Sequence, residues 1–434
     1  MSTTDAQPAA AKAKLRWYQY SLRTLLVFVL VCGMSLGWIG SLLMRIHDQR
    51  EAVSRIKSRG GRVGYDYQLR NENFIPRATP PGAKLLRMVL GDDAFARVEC
   101  VEFSYDATLT SADLEVFESL GQLRCLHLGG GKIDDDCLRH LSTLRKLHDL
   151  ALSGDKISDH GLEHLRGLTA LRDLSLSDTR ITMSGLARLP VASKLQYLDL
   201  GGATVTDLTL EHLDALSSLE SLALVRTRVT DAGLAPLSKL RCLKTLTLAE
   251  CYGVTDKGLV HLQGLKTLEQ LYVFVTSITD AGVDNLRDLQ QLQTLTLQGQ
   301  PLTDRCTLVL KTLRHLKSLS LGGSRIGDDG LKNLADLDRL EHLGLSETVV
   351  TDAGLANLAR LPRLQSLELW GTKTTDAGVK HLQSLTGLTR LNVGPGITKA
   401  GVLQLRQALP KCGIEFVDAN GSEQDFPPRA DDKR

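Results

Sequence analysis

Aromatic residues are scarce: Phe, Trp and Tyr together make up 4% of 434 residues. An excess of charge of either sign is also missing. Lys plus Arg is 52 and Asp plus Glu is 50, a net charge of +2, which excludes the basic footprint of a nucleic-acid binder. The 8 cysteines form no CxxC pair, which argues against a zinc ribbon, a thioredoxin-type motif and a small disulfide scaffold. There is no HExxH or P-loop GxxxxGK[ST], so the zincin and nucleotide motifs are absent. What is abundant is leucine, with 84 residues. A core made almost entirely of one aliphatic side chain implies one packing position used many times. At 42% hydrophobic and 24% charged, the composition is that of a globular chain rather than a disordered one.

Long apolar runs are absent but for one. Residues 24–44, TLLVFVLVCGMSLGWIGSLLM, carry no charge. As a helix at about 1.5 Å per residue, this run spans roughly 31 Å, the thickness of a bilayer's hydrocarbon core. Lys12, Lys14, Arg16 and Arg23 precede it, with Trp17, Tyr18 and Tyr20 at the headgroup level. A cleaved signal peptide is the competing reading. It needs a shorter apolar run and a small-x-small site, and Ile39-Gly40-Ser41 is a poor one. A lipoprotein box at Cys32 fails on the large Val31. The segment is therefore expected to be an uncleaved, single-pass contact with the lipid bilayer. Basic residues flank both ends, so sidedness rests on the habit of N-terminal anchors to keep a short tail in the cytoplasm. The large domain is then expected outside it.

Aligned on leucine spacing, the chain repeats every 24 residues from Leu123 to Leu388, with one interval of 25 between Leu243 and Leu268 where Gly253 is inserted. An earlier copy starts at Val98, making thirteen. Residues 340–363, LEHLGLSETVVTDAGLANLARLPR, show the pattern LxxLxLxxTxITDxGLxxLxxLxx. LxxLxL reads as a short strand with alternate residues in a core. GLxxLxxL is an apolar stripe of a short helix. Thr351 and Asp352 are a helix-start pair, the Thr capping free N–H groups and the Asp favouring the positive helix end. A dozen aspartates in register are read as repeated caps rather than as metal ligands.

This pattern resembles the leucine-rich repeat family, over about residues 98–417. The TDAGL variant looks like the bacterial, cysteine-containing-like subtype, similar also to repeats of F-box substrate receptors. Cys251 in LTLAECYGVTDKGL matches that subtype's characteristic Cys. WYQYSLRTLLVFVL resembles anchors that precede such repeats in some bacterial membrane proteins. The resemblance implies an α/β solenoid, with a curved parallel sheet on the concave face and short helices on the convex face, preceded by one transmembrane helix. A single copy buries too little aliphatic surface to offset the entropy of ordering its own residues, so copies must stack. Thirteen strands at about 4.8 Å make an arc of roughly 60 Å.

The expected organisation is a cytoplasmic or flexible tail (1–23), the anchor (24–44), an N-terminal capping region (46–97), thirteen repeats (98–411), a C-terminal capping strand (412–418) and a disordered tail (419–434). In the first cap a helix, the Gly60-Gly61 turn and a strand around 62–67 are expected, then a loop bearing Pro76, Pro80 and Pro81 and a short helix near 83–90.

The search for chemistry returns no catalytic and no metal residues, and no cofactor. His140, His164, His212, His261 and His381 fall at one repeat position, which duplicates one surface site rather than gathering ligands. Gly129-Gly130-Gly131 sits at the strand-to-turn position of Gly201-Gly202 and Gly322-Gly323 and reads as turn geometry. Cys137 and Cys306 replace the usual Gly and are expected as buried thiols. Cys100 and Cys125 occupy the same outward position of adjacent strands. Reduced neighbours are expected there, with a cross-strand disulfide as the alternative.

Outward strand positions are mostly small. Three features interrupt them: the acidic Asp149, Asp173 and Asp199 with Tyr197 beside them; Tyr272 and Phe274 with Val225 nearby; and Trp370 with His342 and Glu368. Exposed aromatics among small residues are what binding hot spots look like. The function expected is therefore a membrane-anchored, non-catalytic scaffold or receptor-like module that binds an unknown protein partner on the concave face. The alternative is a substrate-recognition adaptor of an enzyme complex, similar to F-box ubiquitin-ligase receptors, although no F-box is evident in residues 46–97.

Overall fold

The structure, a computed structural model, describes residues 22–70, 73–74, 81, 87–88, 95–104, 106–129, 133–154, 156–417 and 423–428. Its centre is one 16-stranded sheet in strict chain order. Thirteen parallel strands run from Val98–Glu102 to Arg390–Val393, one per repeat, and Gly413–Val417 adds a fourteenth. Each strand shifts by one repeat without slipping register: Leu246 lies opposite Leu222 on one side and Leu271 on the other. The phase of the leucines causes this, since a slip of one residue would turn the buried Leu246 and Leu248 outward.

Opposite the sheet, each repeat turns through one or two short helical turns. In residues 351–361 an α-turn, Asp352–Leu355, passes into a 3-10 segment, Ala356–Arg360. The spacing GLxxLxxL explains the tighter winding. Leucines every three residues keep to one face only where the helix has three residues per turn, and Leu355, Leu358 and Leu361 are all buried.

The Thr–Asp pair does more than start a helix. Thr351 caps as expected, its hydroxyl accepting from the Ala353 N–H at 3.3 Å. Asp352, however, reaches the next repeat: its carboxylate accepts from the Thr375 backbone N–H at 2.7 Å and from the Thr375 hydroxyl at 2.6 Å. The same two-bond clasp joins Asp207 to Thr230, Asp256 to Thr279 and Asp376 to Thr398. It also explains the Gly of TDxG, because a Cβ on Gly161 would lie 2.5 Å from Asp135 Oδ1 and one on Gly258 would lie 2.6 Å from Asp231 Oδ1. Where the preceding repeat lacks the Asp, at Ser111 and Met183, the Gly is replaced by Cys137 and Thr209. Cys306 is the exception, standing beside Asp280. Cys251 is fully buried, its thiol donating to the Leu224 carbonyl at 3.0 Å and lying 3.1 Å from the Thr227 hydroxyl.

Both ends of the stack are covered. At the front, the segments expected as anchor and cap helix form one 37-residue helix, Leu22–Ser58, rather than two elements. Its part from Leu26 to Met44 is exposed, while Ala52, Val53 and Ile56 are buried in the core. By length and composition it is the one helix among the described residues long and apolar enough to cross a membrane, its most apolar 18-residue stretch having a mean hydropathy of 2.2. After the Gly60-Gly61 turn, Arg62–Tyr65 pairs antiparallel with Val98–Glu102. The expected proline loop and the helix near 83–90 fall mostly outside the described residues. At the far end Gly413–Val417 is present, and the tail departs from expectation: Glu423–Phe426 pairs with that strand antiparallel. Without it, Gly413–Val417 would present a bare edge. Phe426, packed against the core under Arg406 at 5.1 Å, holds the return strand in place.

Candidate functional site on the sheet face

Alternation along each strand leaves two residues per repeat on the open face of the sheet, and register lines them up in rows. The row through Thr247, Tyr272 and Thr296 is small except for the Tyr; the next passes through Val225, Ala249, Phe274 and Gln298. Tyr272 and Phe274 stack, with ring centroids 6.3 Å apart and planes at 11°. The Tyr272 hydroxyl donates to Gln270 Oε1 at 3.1 Å, so the pair is rigid and half-buried, with its outer surface open. Val225 lies two strands away with only Ala249 between. Directly after Phe274 comes Val275, 47% exposed and held at φ 46°, a left-handed conformation in which β-branched residues are strained.

The other residues singled out do not join this patch. Trp370, 39% exposed, lies four strands on, about 19 Å at the usual strand spacing. Glu368 faces Gly344, and His342 faces Ser366, so the two are diagonal neighbours beside the Trp. Tyr197 is three strands the other way, opposite Asp173 in register. Burial, with the neighbouring Asp199, Asp149 and Asp173, pushes its phenol upward. Asp199 is already satisfied by the Ser175 and Ser177 hydroxyls at 2.9 and 2.8 Å and by the Gly201 N–H at 3.0 Å. Asp149 lies opposite Asp173 but is engaged by His127, Nε2 to Oδ2 at 2.8 Å.

That last contact belongs to a group the one-dimensional search missed. Cys100, Cys125 and Asp149 are register neighbours on the first three repeat strands, and His127 shares their face. Cys100 and Cys125 Sγ are 2.8 Å apart, and Cys125 Sγ is 3.6 Å from His127 Nε2. The bond to Asp149 raises the His127 imidazole, outweighing its burial. The Cys125 thiol is driven up by Cys100 and by burial. Superposing the repeats on their strand positions is the signal that finds this group; searching for His-to-His spacing along the helices does not. His140, one of the recurrent helical histidines, is instead buried against Glu118, Nδ1 to Oε1 at 2.6 Å.

The remaining buried thiols are chemically quiet: burial lifts Cys137, Cys251 and Cys306, and pushes Cys412 up to about 11. An open groove of about 480 Å³ lies where loops enter the later strands, between Arg314, His315, Asp336, Arg339 and Arg360. Arg360 and Arg314 are tied there to the Asp336 carboxylate and carbonyl at 2.6 and 2.7 Å.

Residues 133–412 match the family described as a leucine-rich repeat region. Among solved structures, the chain is similar to an internalin (InlF) from Listeria monocytogenes at 27% identity and a TM-score of 0.52, covering 70% of this chain and 88% of that one. It is also similar to internalin C2 of the same organism, at 27% identity and a TM-score of 0.39 over 51% and 84% of the two chains. A leucine-rich repeat protein of Leptospira interrogans matches at 20% identity and a TM-score of 0.44, over 69% and 86%. No curated protein is significantly similar in sequence.

Proposed function

This chain belongs to the leucine-rich repeat family, whose members typically serve as protein-interaction modules, and from that premise we propose that it is a membrane-anchored, non-catalytic scaffold that grips a segment of another protein on its open sheet face. The observation that carries this reading is the stacked Tyr272–Phe274 pair, exposed on its outer side and set among Thr247, Ala249 and Thr296. Rigid aromatics ringed by small side chains give an apolar side chain a firm seat at little entropic cost. Val225 extends this seat. Trp370, His342 and Glu368 form a second contact farther along, and Asp149, Asp173, Tyr197 and Asp199 line the earlier part of the face. The exposed apolar half of the helix Leu22–Ser58 supports single-pass anchoring, with the repeats outside the cytoplasm.

The test is capture by the full chain in detergent from an envelope extract, comparing wild type with Tyr272→Ala and Phe274→Ala. Each substitution is expected to lower affinity for the captured partner at least about 10-fold, the mark of a hot-spot residue. Undiminished capture removes this surface as the site. Carbonate-washed membranes should retain the full chain, and protease treatment of intact cells should digest the repeats.

A further inference from the structure

We propose that Cys100, Cys125, His127 and Asp149 together bind one divalent transition-metal ion of the zinc type at the head of the sheet. The four lie on three consecutive strands: Cys100 opposite Cys125, Cys125 opposite Asp149, and His127 two residues beyond Cys125 on the same face. Their donor atoms form a chain that turns on Cys125. Cys125 Sγ is 2.8 Å from Cys100 Sγ and 3.6 Å from His127 Nε2, which is 2.8 Å from Asp149 Oδ2. Cys125, His127 and Asp149 offer ligand atoms all within 4.8 Å of one another, and so do Cys100, Glu102 and Cys125.

The donor set selects the ion. Two thiols, an imidazole and a carboxylate are zinc's ligands; calcium and magnesium take oxygen alone. A tetrahedral ion about 2.3 Å from sulfur and 2.0–2.1 Å from nitrogen sets the sulfur–nitrogen edge at about 3.6 Å and the sulfur–sulfur edge at about 3.8 Å. The first edge is already met. The second needs the sulfurs to part by about 1 Å, with Cys100 turning toward His127 and Asp149, whose own 2.8 Å contact would open to about 3.4 Å. A disulfide would instead draw them together to about 2.05 Å, and would leave the convergence of His127 and Asp149 on Cys125 without a purpose. Small neighbours keep the place open: Ala151 faces His127, and Gly64 faces Cys100.

Binding would replace the two S–H protons by two metal–sulfur bonds and release both to solvent, and the proton that His127 Nε2 shares with Asp149 would move to Nδ1 or, from the imidazolium, leave as a third. Two thiolates and one carboxylate against a divalent ion leave a net charge of −1. The ion would pin together the first three repeats, beside the cap strand, where stacking partners run out.

Full-length protein in detergent, reduced and stripped of metal, is titrated with Co²⁺ and then with Zn²⁺. The expected result is one equivalent bound, with the visible bands of tetrahedral cobalt and a sulfur-to-cobalt charge-transfer band, both erased by Zn²⁺. His127→Ala and Asp149→Asn should each weaken binding by about 10-fold or more. Cys100→Ser combined with Cys125→Ser should abolish the charge-transfer band, and Cys242→Ser should change nothing. Zn²⁺ should raise the Tm of wild type but not of His127→Ala, whose side chain is 37% exposed. A wild type without the charge-transfer band, a band that survives the double Cys substitution, or a Cys100–Cys125 disulfide in protein isolated without reductant would each overturn the proposal.

Discussion

Asp352 clasps Thr375 of the following repeat through two hydrogen bonds, at 2.7 and 2.6 Å, in the space that Gly378 leaves by having no Cβ. Three residues from two repeats thus form one unit of the interface, and the unit recurs along the helical side of the stack.

Gly378→Ala should therefore cost about 1–3 kcal/mol, the usual penalty of forcing a methyl into filled space. Asp352→Ser should cost about 1–3 kcal/mol by leaving the Thr375 N–H without its acceptor. The double variant Asp352→Ser, Gly378→Cys recreates the Ser111–Cys137 pairing already present earlier in the chain. It should lose clearly less than the sum of its singles in denaturant unfolding. Simple additivity would show that Asp and Gly are not coupled.

Val275 holds φ 46° where the same position of other repeats carries Gly299, at φ 73°, or Gly323, at φ 71°. A left-handed β-branched residue costs about 1–2 kcal/mol, against about 0.5–1 kcal/mol of chain entropy when Gly replaces it. Val275→Gly should leave stability unchanged or slightly raised, whereas Gly323→Val should lower it by about 1–2 kcal/mol. Thermal melts of the two variants decide this; a marked loss in Val275→Gly would mean that the exposed side chain has a packing role.

Asp113 joins cap to repeat: it accepts from Arg59 Nε at 2.8 Å and from the Thr110 N–H and hydroxyl at 2.9 and 2.8 Å. Burial raises its carboxyl, but the bonds from Thr110 and the Arg59 charge outweigh this and hold it below the usual value. A folded-state value below the unfolded one contributes stability above the unfolded value, near 4, and loses it as pH falls through the folded one. Docking of the N-terminal helix should accordingly weaken as pH drops below about 4. Hydrogen exchange at Ala52–Ile56 should report this in wild type, and Asp113→Asn should show the weaker docking at neutral pH with no further acid-dependent change from this contact.

Phe426→Ala should loosen the return strand and expose Gly413–Val417, whose partner on that side is Glu423–Phe426. The expected outcome is increased self-association by light scattering with the repeat signature in circular dichroism intact. An unchanged monomer would make the return strand dispensable.

The repeats were legible in the sequence because each leucine does one job in every copy, so phase alone yields strand, turn and buried face. The Asp clasp was not, because Thr351–Asp352 reads as a complete local cap and nothing within one repeat points to Thr375. The strand Glu423–Phe426 hides in a polar, Pro-bearing stretch where only Phe426 is strongly apolar. On the sheet face, the outward placement of Tyr272 and Trp370 could be foreseen from alternation, but the engagement of Asp199 by Ser175 and Ser177 could not. The Cys100–Cys125–His127–Asp149 group is spread over fifty positions and becomes a neighbourhood only once register is known.

The helix Leu22–Ser58 has no break between its exposed apolar half and the turn that carries Ala52, Val53 and Ile56 into the core. It is a mast rather than a rope. Whatever grips residues 26–44 also aims the sheet, so a tilt or rotation at one end is delivered to the other as a change of bearing, with no swivel to absorb it.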